Sequence, residues 1–309
     1  MTQRIFLTGA SGFIGANLLH ELFRAGYQVL CLKRRCSNQW RSESETLSAV
    51  SWLDVEDTDW GSKAIDFDPE IIIHGSWNGV DASRRSDWLG QMDNVRHTAE
   101  VLSIAESASC RKVIGLGSQA EYGRFEGVIS ESAPANPDTP YGIAKLMAME
   151  ATRSYCSSRA ITWHWLRLFP LFGEKESFSW FIPTLVRHLV NGTTMPMTAG
   201  EQRYAYLYIR DLCRWIMRMM AADIESGVYN VSSSTARPLK DIVEAVTRLV
   251  APSQHDIQMG AIPYRQYQSM LVQGMTQKLE LQLGDLNESD FPAALAKTVA
   301  EIKHRTPYE

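Results

Sequence analysis

The stretch TGASGFIGANLLHELFRAGY, residues 8 to 27, joins a short apolar run, RIFL (4 to 7), to a segment in which Leu18, Leu19, Leu22 and Phe23 recur at helical spacing. Between the two, Gly9, Gly12 and Gly15 fall in the order G-x-x-G-x-x-G, and Gly26 stands where a helix C-terminus is closed. A glycine-rich turn that ends a strand and opens a helix admits few folds. It lets backbone amides approach a pyrophosphate at a helix N-terminus, where unpaired N–H groups and the dipole favour an anion. The stretch predicts the strand, turn and helix of an α/β protein. Gly9, Ser11, Gly12, Phe13 and Ile14 would line a dinucleotide phosphate, and Gly15 would permit close helix-to-sheet packing.

The same alternation continues along the chain. Apolar runs QVLCL (28 to 32), VSWL (50 to 53), EIIIH (70 to 74), KVIGL (112 to 116) and ITWHWLRL (161 to 168) are separated by amphipathic or polar stretches. This predicts βαβ units and a doubly wound parallel sheet of Rossmann type, with helices on both faces. A dinucleotide-binding domain is expected over 1–169, receiving also about 226–250. A smaller, interleaved substrate-binding domain is expected from 170–225 and 251–309.

Composition narrows the partners. A 309-residue chain with 45% hydrophobic content can bury a large core, and a net charge of −4 gives no electrostatic reason to expect nucleic acid or an anionic membrane. No run approaches the roughly 18 to 20 apolar residues of a spanning helix. The N-terminus lacks a signal-peptide layout, so a cytoplasmic address is expected. Five scattered cysteines read as free thiols, and seven dispersed histidines give no metal-site spacing, so no metal is expected.

The end of the second strand should select the cofactor, because a carboxylate there holds a ribose 2′-hydroxyl and a cation a 2′-phosphate. The sequence is CLKRRCSN, without Asp or Glu and with Lys33, Arg34 and Arg35 in succession. NADP(H) is therefore favoured over NAD(H), with Arg34 the first choice for the phosphate; the alternative is a solvated loop. Asp54 and Val55, after the third strand, could edge adenine. Gly75 and Ser76 follow the fourth strand, where such folds bind the nicotinamide half. Trp77 would either wall a sugar site or pack in the core.

Farther on, PDTPYGIAKLMAMEATRSY reads as a helix with Thr139 as N-cap and Pro140 at its first position. Tyr141 and Lys145 then share a helix face, so the ammonium can sit beside the phenol and favour its ionised form.

GASGFIG, Ser118 within GLGSQAEYG, and Tyr141-x-x-x-Lys145 together resemble the extended short-chain dehydrogenase/reductase family of sugar-nucleotide epimerases, dehydratases and ketoreductases. The resemblance extends to VYNVSSSTARPLKDI (228 to 242) and TQKLELQLG (276 to 284). It implies that Ser118, four residues before Tyr122, bonds the substrate oxygen. It implies also that Tyr141 exchanges a proton with that oxygen, and that Lys145 binds the nicotinamide ribose and supports tyrosinate. Dehydratases of the family place Asp and Glu directly after the catalytic Ser or Thr. Gln119 and Ala120 stand here, which disfavours elimination of water. Glu121 would point elsewhere if the segment stayed extended.

Two activities stay open, reduction of a nucleotide-linked 4-keto sugar and C4 epimerisation with a retained cofactor. The missing carboxylate after Leu32 favours the reductase. A non-catalytic NADP-sensing protein is the competitor from another class. The resemblance implies a nucleotide-sugar substrate and a homodimer formed through two helices, one bearing Tyr141. It also suggests a diphosphate grip near Arg203 and Tyr204, where relatives carry Arg and Asp at positions 204 and 205, and at Arg265, thirteen residues before Lys278. Gln119 and Trp77 would complete the substrate side. Pro170 replaces an asparagine common in relatives.

Overall fold

Each apolar run between residues 4 and 168 forms a strand. The computed structural model describes residues 3–251 and 255–305. Its first part runs β1 (Arg4–Thr8), α1 (Phe13–Arg24), β2 (Gln28–Lys33), α2 (Ser44–Ala49), β3 (Ser51–Asp54), α3 (Trp60–Asp66), β4 (Ile71–His74) and α4 (Trp88–Ser107). Next come β5 (Lys112–Ser118), β6 (Gly127–Ile129), α5 (Pro140–Ser157), β7 (Thr162–Leu168), β8 (Leu171–Phe172), α6 (Phe181–Asn191) and β9 (Met195–Pro196). The remainder is β10 (Arg203–Tyr204), β11 (Leu207–Tyr208), α7 (Ile209–Ala221), β12 (Gly227–Val231), β13 (Arg237–Pro238), α8 (Leu239–Val250), β14 (Ile257–Gln258), β15 (Leu271–Gly274), α9 (Gln277–Leu283) and α10 (Phe291–His304).

Seven strands make one parallel sheet in the order β12-β7-β5-β4-β1-β2-β3. The order reverses between β1 and β4, which opens a crevice at their carboxyl ends, the place where open α/β sheets bind ligands. Successive side chains leave the sheet on opposite faces. Ile5, Leu7, Val29, Cys31, Ile71, Ile73 and Ile114 join a core shared with α1, α6, α7, α8 and α10. Phe6, Leu30, Leu32, Ile72, Val113, Trp163 and Trp165 build the opposite core with α4 and α5. Strands buried on both faces read as unbroken apolar runs, which is why they were visible in the sequence.

The expected partition places 209–221 in the smaller unit. In the structure, α7 packs against α1, and its apolar face belongs to the core of the large sheet. Lys112, buried at the start of β5, donates from Nζ to the carbonyls of Met219 (2.7 Å), Met220 (3.2 Å) and Ala222 (2.7 Å). These are carbonyls at the α7 C-terminus, where a cation offsets the helix dipole. Smaller sheets, β13-β10-β15-β6, β8 with β11 and β9 with β14, lie outside the main one. Among the described residues no helix is long and apolar enough to cross a membrane.

Candidate functional site

A cleft of about 490 Å³ opens at the carboxyl ends of the central strands. Of the residues expected there, Gly9, Ser11, Gly12, Lys33, Arg34, Val55, Gly75, Ser76 and Trp77 line it. Phe13 and Ile14 form the first turn of α1 behind them. Gly9 has φ +77°, and a Cβ there would lie 2.6 Å from the Gly75 carbonyl carbon; one on Gly15 would lie 2.1 Å from the Gly9 oxygen. Only glycine lets the β1 loop, the β4 loop and α1 come this close. Thr8 Oγ1 ties the two loops, accepting from the amides of Gly75 (3.2 Å) and Ser76 (3.1 Å). The same hydroxyl meets His74 Nδ1 at 2.9 Å, and His74 Nε2 meets Thr98 Oγ1 at 3.0 Å. Burial, and then the charges of His97 and Lys145, hold His74 well below its ordinary pKa and so neutral.

The cradle fits a dinucleotide phosphate. No side chain caps the α1 N-terminus, and the Ser76 hydroxyl is buried without a partner. Donors at that helix end are thus left for an anion.

The three successive cations behave differently. Lys33 Nζ sits 2.5 Å from Asp54 Oδ1, its register partner across β2 and β3, and Arg35 lies 2.5 Å from Asp57 and 3.8 Å from Asp54. The Asp54 carboxylate is held by Lys33, whose hydrogen bond lowers its pKa, and Val55 beside it lines the cavity. Arg34 has an amide neighbour instead, Asn78 Oδ1 at 3.5 Å, which Arg84 also approaches at 2.9 Å.

The second group of residues is set by α5. Thr139 Oγ1 accepts from Gly142 N at 3.1 Å and Pro140 fixes the first turn, as expected. A Cβ on Gly142 would lie 2.4 Å from the Ala120 carbonyl, so glycine lets the helix start abut the turn that follows β5. That contact brings the buried Tyr141 phenol towards the Ser118 hydroxyl. Burial raises the phenol pKa; the nearby Ser118 hydroxyl and then the Arg85 guanidinium lower it, and Glu121 opposes them.

Lys145 is placed differently from the expectation. Its ammonium donates to the Leu116 carbonyl (2.7 Å) and lies 3.7 Å from the Trp77 ring centroid. Burial lowers it to about 7, against the charge of Glu121. A lysine stem is long enough to reach past the phenol to the β5 backbone, so a shared helix face did not decide where its charge would sit. Trp77 meets Tyr141 edge-on at 6.3 Å and donates from Nε1 to Gln91 Oε1 at 2.9 Å.

Two residues at this centre were not foreseen in their roles. Glu121 does not sit on an extended strand, because the chain turns at once into a 3-10 helix, Gln119–Tyr122. Its carboxylate, fully buried, accepts from Ser118 N (2.8 Å), Trp165 Nε1 (2.9 Å) and Arg167 Nε (2.8 Å). Ser118 and Glu121 form a reciprocal capping box. The spacing Ser-x-x-Glu was the signal for it. The other residue is Arg85, whose guanidinium lies 4.8 Å from the Tyr141 ring centroid.

On the remaining side, Gln119 Oε1 is buried without a hydrogen-bond partner. The Tyr204 phenol accepts from Gln268 Nε2 at 2.9 Å, and its pKa, raised by burial, is lowered by that bond and by nearby Arg265. Arg203 is turned away from this pair, donating to the Ala236 carbonyl at 3.0 Å, as strand alternation requires of neighbouring residues. Tyr204 and Arg265 thus come together and Arg203 does not join them. Among the described residues no group of three His, Cys, Asp or Glu could hold a metal.

Comparison with known proteins agrees with this geometry. The chain is 26% identical over 282 residues to dTDP-6-deoxy-L-talose 4-dehydrogenase (NAD(+)) of Aggregatibacter actinomycetemcomitans, covering 88% of this chain and 99% of the relative. It is 22% identical over 270 residues to CDP-abequose synthase of Salmonella muenchen, covering 86% of each. A UDP-N-acetylglucosamine 4-epimerase from Methanobrevibacter ruminantium M1, solved with UDP-N-acetylmuramic acid, superposes with a TM-score of 0.87 at 18% identity, over 98% of this chain and 99% of that one. Residues 5–232 match the model of the NAD dependent epimerase/dehydratase family. With the glycine cradle of β1 and α1 and the Ser118, Tyr141 and Lys145 set in place, the chain belongs to that family, within the extended short-chain dehydrogenase/reductases.

Proposed function

We propose that the protein reduces the 4-keto group of a nucleotide-linked 4-keto-6-deoxy sugar with NADPH. The observation that carries this reading is the state of the turn after β5. Gln119 offers an amide, Ala120 a methyl, and the turn's only carboxylate, Glu121, is buried in an ion pair with Arg167 at 2.8 Å. No acid–base pair is left there for eliminating water. When bound, the nicotinamide supplies the hydride. The chain's own groups manage the oxygen and its proton: Ser118 donates a hydrogen bond to the carbonyl oxygen, and Tyr141 gives it a proton as negative charge develops. Lys145 would hold the nicotinamide ribose, and Trp77, Gln119, Tyr204 and Arg265 the sugar nucleotide.

The similarity to a relative named as a 4-dehydrogenase of a dTDP-linked 6-deoxy sugar supports the class of reaction. That relative is named for NAD(+), so the preference for NADPH rests on Arg34. We assign 1–169 and 226–250 to the dinucleotide and the rest, α7 apart, to the sugar nucleotide. The subunit contact we place on α4 and α5, where Trp88, Leu89 and Met147 are exposed; a monomer by sedimentation would remove this last part.

The test is incubation with NADPH and a panel of nucleotide-linked 4-keto-6-deoxy sugars, following loss of the reduced cofactor. Consumption matched by a 4-hydroxy product is expected. Tight NADPH binding without turnover would leave a sensor, and interconversion of C4 epimers with a retained cofactor would make the protein an epimerase. In the same series Arg34→Ala should weaken NADPH by about 10- to 100-fold, the loss of one charged hydrogen-bonding group, and NADH much less. Equal weakening of both would discard the Arg34 assignment.

A further inference from the structure

The loop between β4 and α4 serves the cofactor cleft with its first residues, Gly75, Ser76, Trp77 and Asn78. Farther along, Arg85 is anchored at two points: its backbone carbonyl accepts from Tyr141 N at 3.1 Å, and its Nε donates to the Val80 carbonyl at 2.8 Å. The guanidinium carbon lies 4.8 Å from the Tyr141 ring centroid and 5.9 Å from that of Trp180. Trp180, the N-cap residue of α6, is 39% exposed, and its carbonyl accepts from Thr184 N at 3.0 Å. Two segments from opposite halves of the chain thus bring a cation and an indole to the Tyr141 phenol.

A guanidinium that covers an aromatic ring uses its face, and its N–H donors leave in the plane of the fork. Nε is already bonded, and among the described residues no acceptor meets Nη1 or Nη2 of Arg85. The arms of the fork are therefore open to a ligand beside Tyr141. We propose that Arg85 and Trp180 form the sugar subsite, in which the Arg85 fork binds the 3-hydroxyl of the substrate and so selects a sugar that keeps an oxygen at C3. This assignment rests on the ketoreductase reading, in which Ser118 and Tyr141 take the oxygen on C4. Of the two ring carbons beside C4 in a 4-keto-6-deoxy sugar, C5 carries the methyl group and C3 a hydroxyl whose lone pairs can accept from the fork. Donors facing the methyl would be desolvated without a partner, so the fork faces C3. The indole of Trp180 supplies an apolar face for the C–H side of the same ring.

The test is calorimetric titration of the full chain, loaded with NADP+, with dTDP- and UDP-linked 6-deoxyhexoses that carry or lack the 3-hydroxyl, and with dTDP and UDP alone. The unmodified chain should bind the 3-hydroxy sugar about 10- to 100-fold more tightly than its 3-deoxy counterpart, the effect of losing a hydrogen bond to a charged group. Arg85→Gln should abolish most of that preference while binding dTDP and UDP as before. Arg85→Lys, which keeps the charge without the planar fork, should recover only part of it. Trp180→Ala should weaken both sugars alike, by about 3- to 10-fold, and Trp180→Phe should restore most of the loss.

A preference for the 3-hydroxy sugar that survives in Arg85→Gln, or its absence in the unmodified chain, overturns the proposal. So does an equal loss of dTDP and UDP binding in Arg85→Gln, which would assign the fork to the diphosphate. A purely structural role for Arg85 would weaken both sugars equally and leave their ratio in place. An Arg85-dependent preference without NADPH consumption by any 4-keto sugar would count against the ketoreductase reading alone. Consumption that is indifferent to the 3-hydroxyl would count against the Arg85 assignment alone.

Discussion

Tyr141→Phe is expected to lower turnover by about 10²- to 10⁴-fold, the range for loss of a positioned general acid, with NADPH affinity nearly unchanged. The two effects separate because the phenol and the cofactor cleft are built by different elements. Tyr141 opens α5 and meets Ser118 at the end of β5, whereas the cleft is lined by the loops after β1, β2 and β4. Removing one oxygen keeps the ring against Trp77 and beneath Arg85, so the packing that holds the helix start survives. The check pairs steady-state turnover with a direct NADPH titration. Undiminished turnover would discard the proposed proton donor, and a parallel loss of cofactor affinity would mean that the phenol serves binding.

The second large effect is expected on stability. Glu121→Ala removes the carboxylate that pairs with Arg167, whose side chain is itself 4% exposed. Deleting one partner of a buried ion pair leaves an uncompensated charge and typically costs about 3–5 kcal/mol. It also strands the Ser118 amide and the Trp165 indole N–H. Denaturant unfolding should show a loss of that size, and the remaining folded protein should turn over slowly because Ser118 has lost its anchor. Glu121→Gln, which can still accept hydrogen bonds, should lie between the two. A loss below about 1 kcal/mol for Glu121→Ala would show that the pair is compensated by water or by rearrangement.

The strands of the main sheet were legible because burial on both faces leaves a composition signal that survives without context. RIFL, QVLCL, EIIIH and KVIGL each begin within one residue of the observed strand. The start of α5 was legible for a different reason, since Thr139 and Pro140 act locally, through one hydrogen bond and one fixed dihedral. The positions read incompletely depend on groups far away in the chain. Asp54 reads as a loop carboxylate until Lys33 is placed beside it across the sheet, and Lys145 reads as a partner of the phenol until the Leu116 carbonyl is brought within reach.

Glu121 belongs to both kinds. Its capping box with Ser118 is written in the sequence, and its bonds to Trp165 and Arg167 are not. Arg85, in a loop without periodicity, offers the sequence reader no sign of the ring it covers.

The Lys112 ammonium, buried under the carbonyls that end α7, has a bearing on the order of synthesis. Met219 follows it by 107 residues. An ammonium sealed in the core without acceptors is costly, so the base of β5 has reason to stay hydrated until that helix emerges. At translation speeds of about 5–20 residues per second the delay is roughly 5–20 s. The start of β5, an inner strand of the sheet, would spend that interval uncovered, and the last stretch of α7 would cover it.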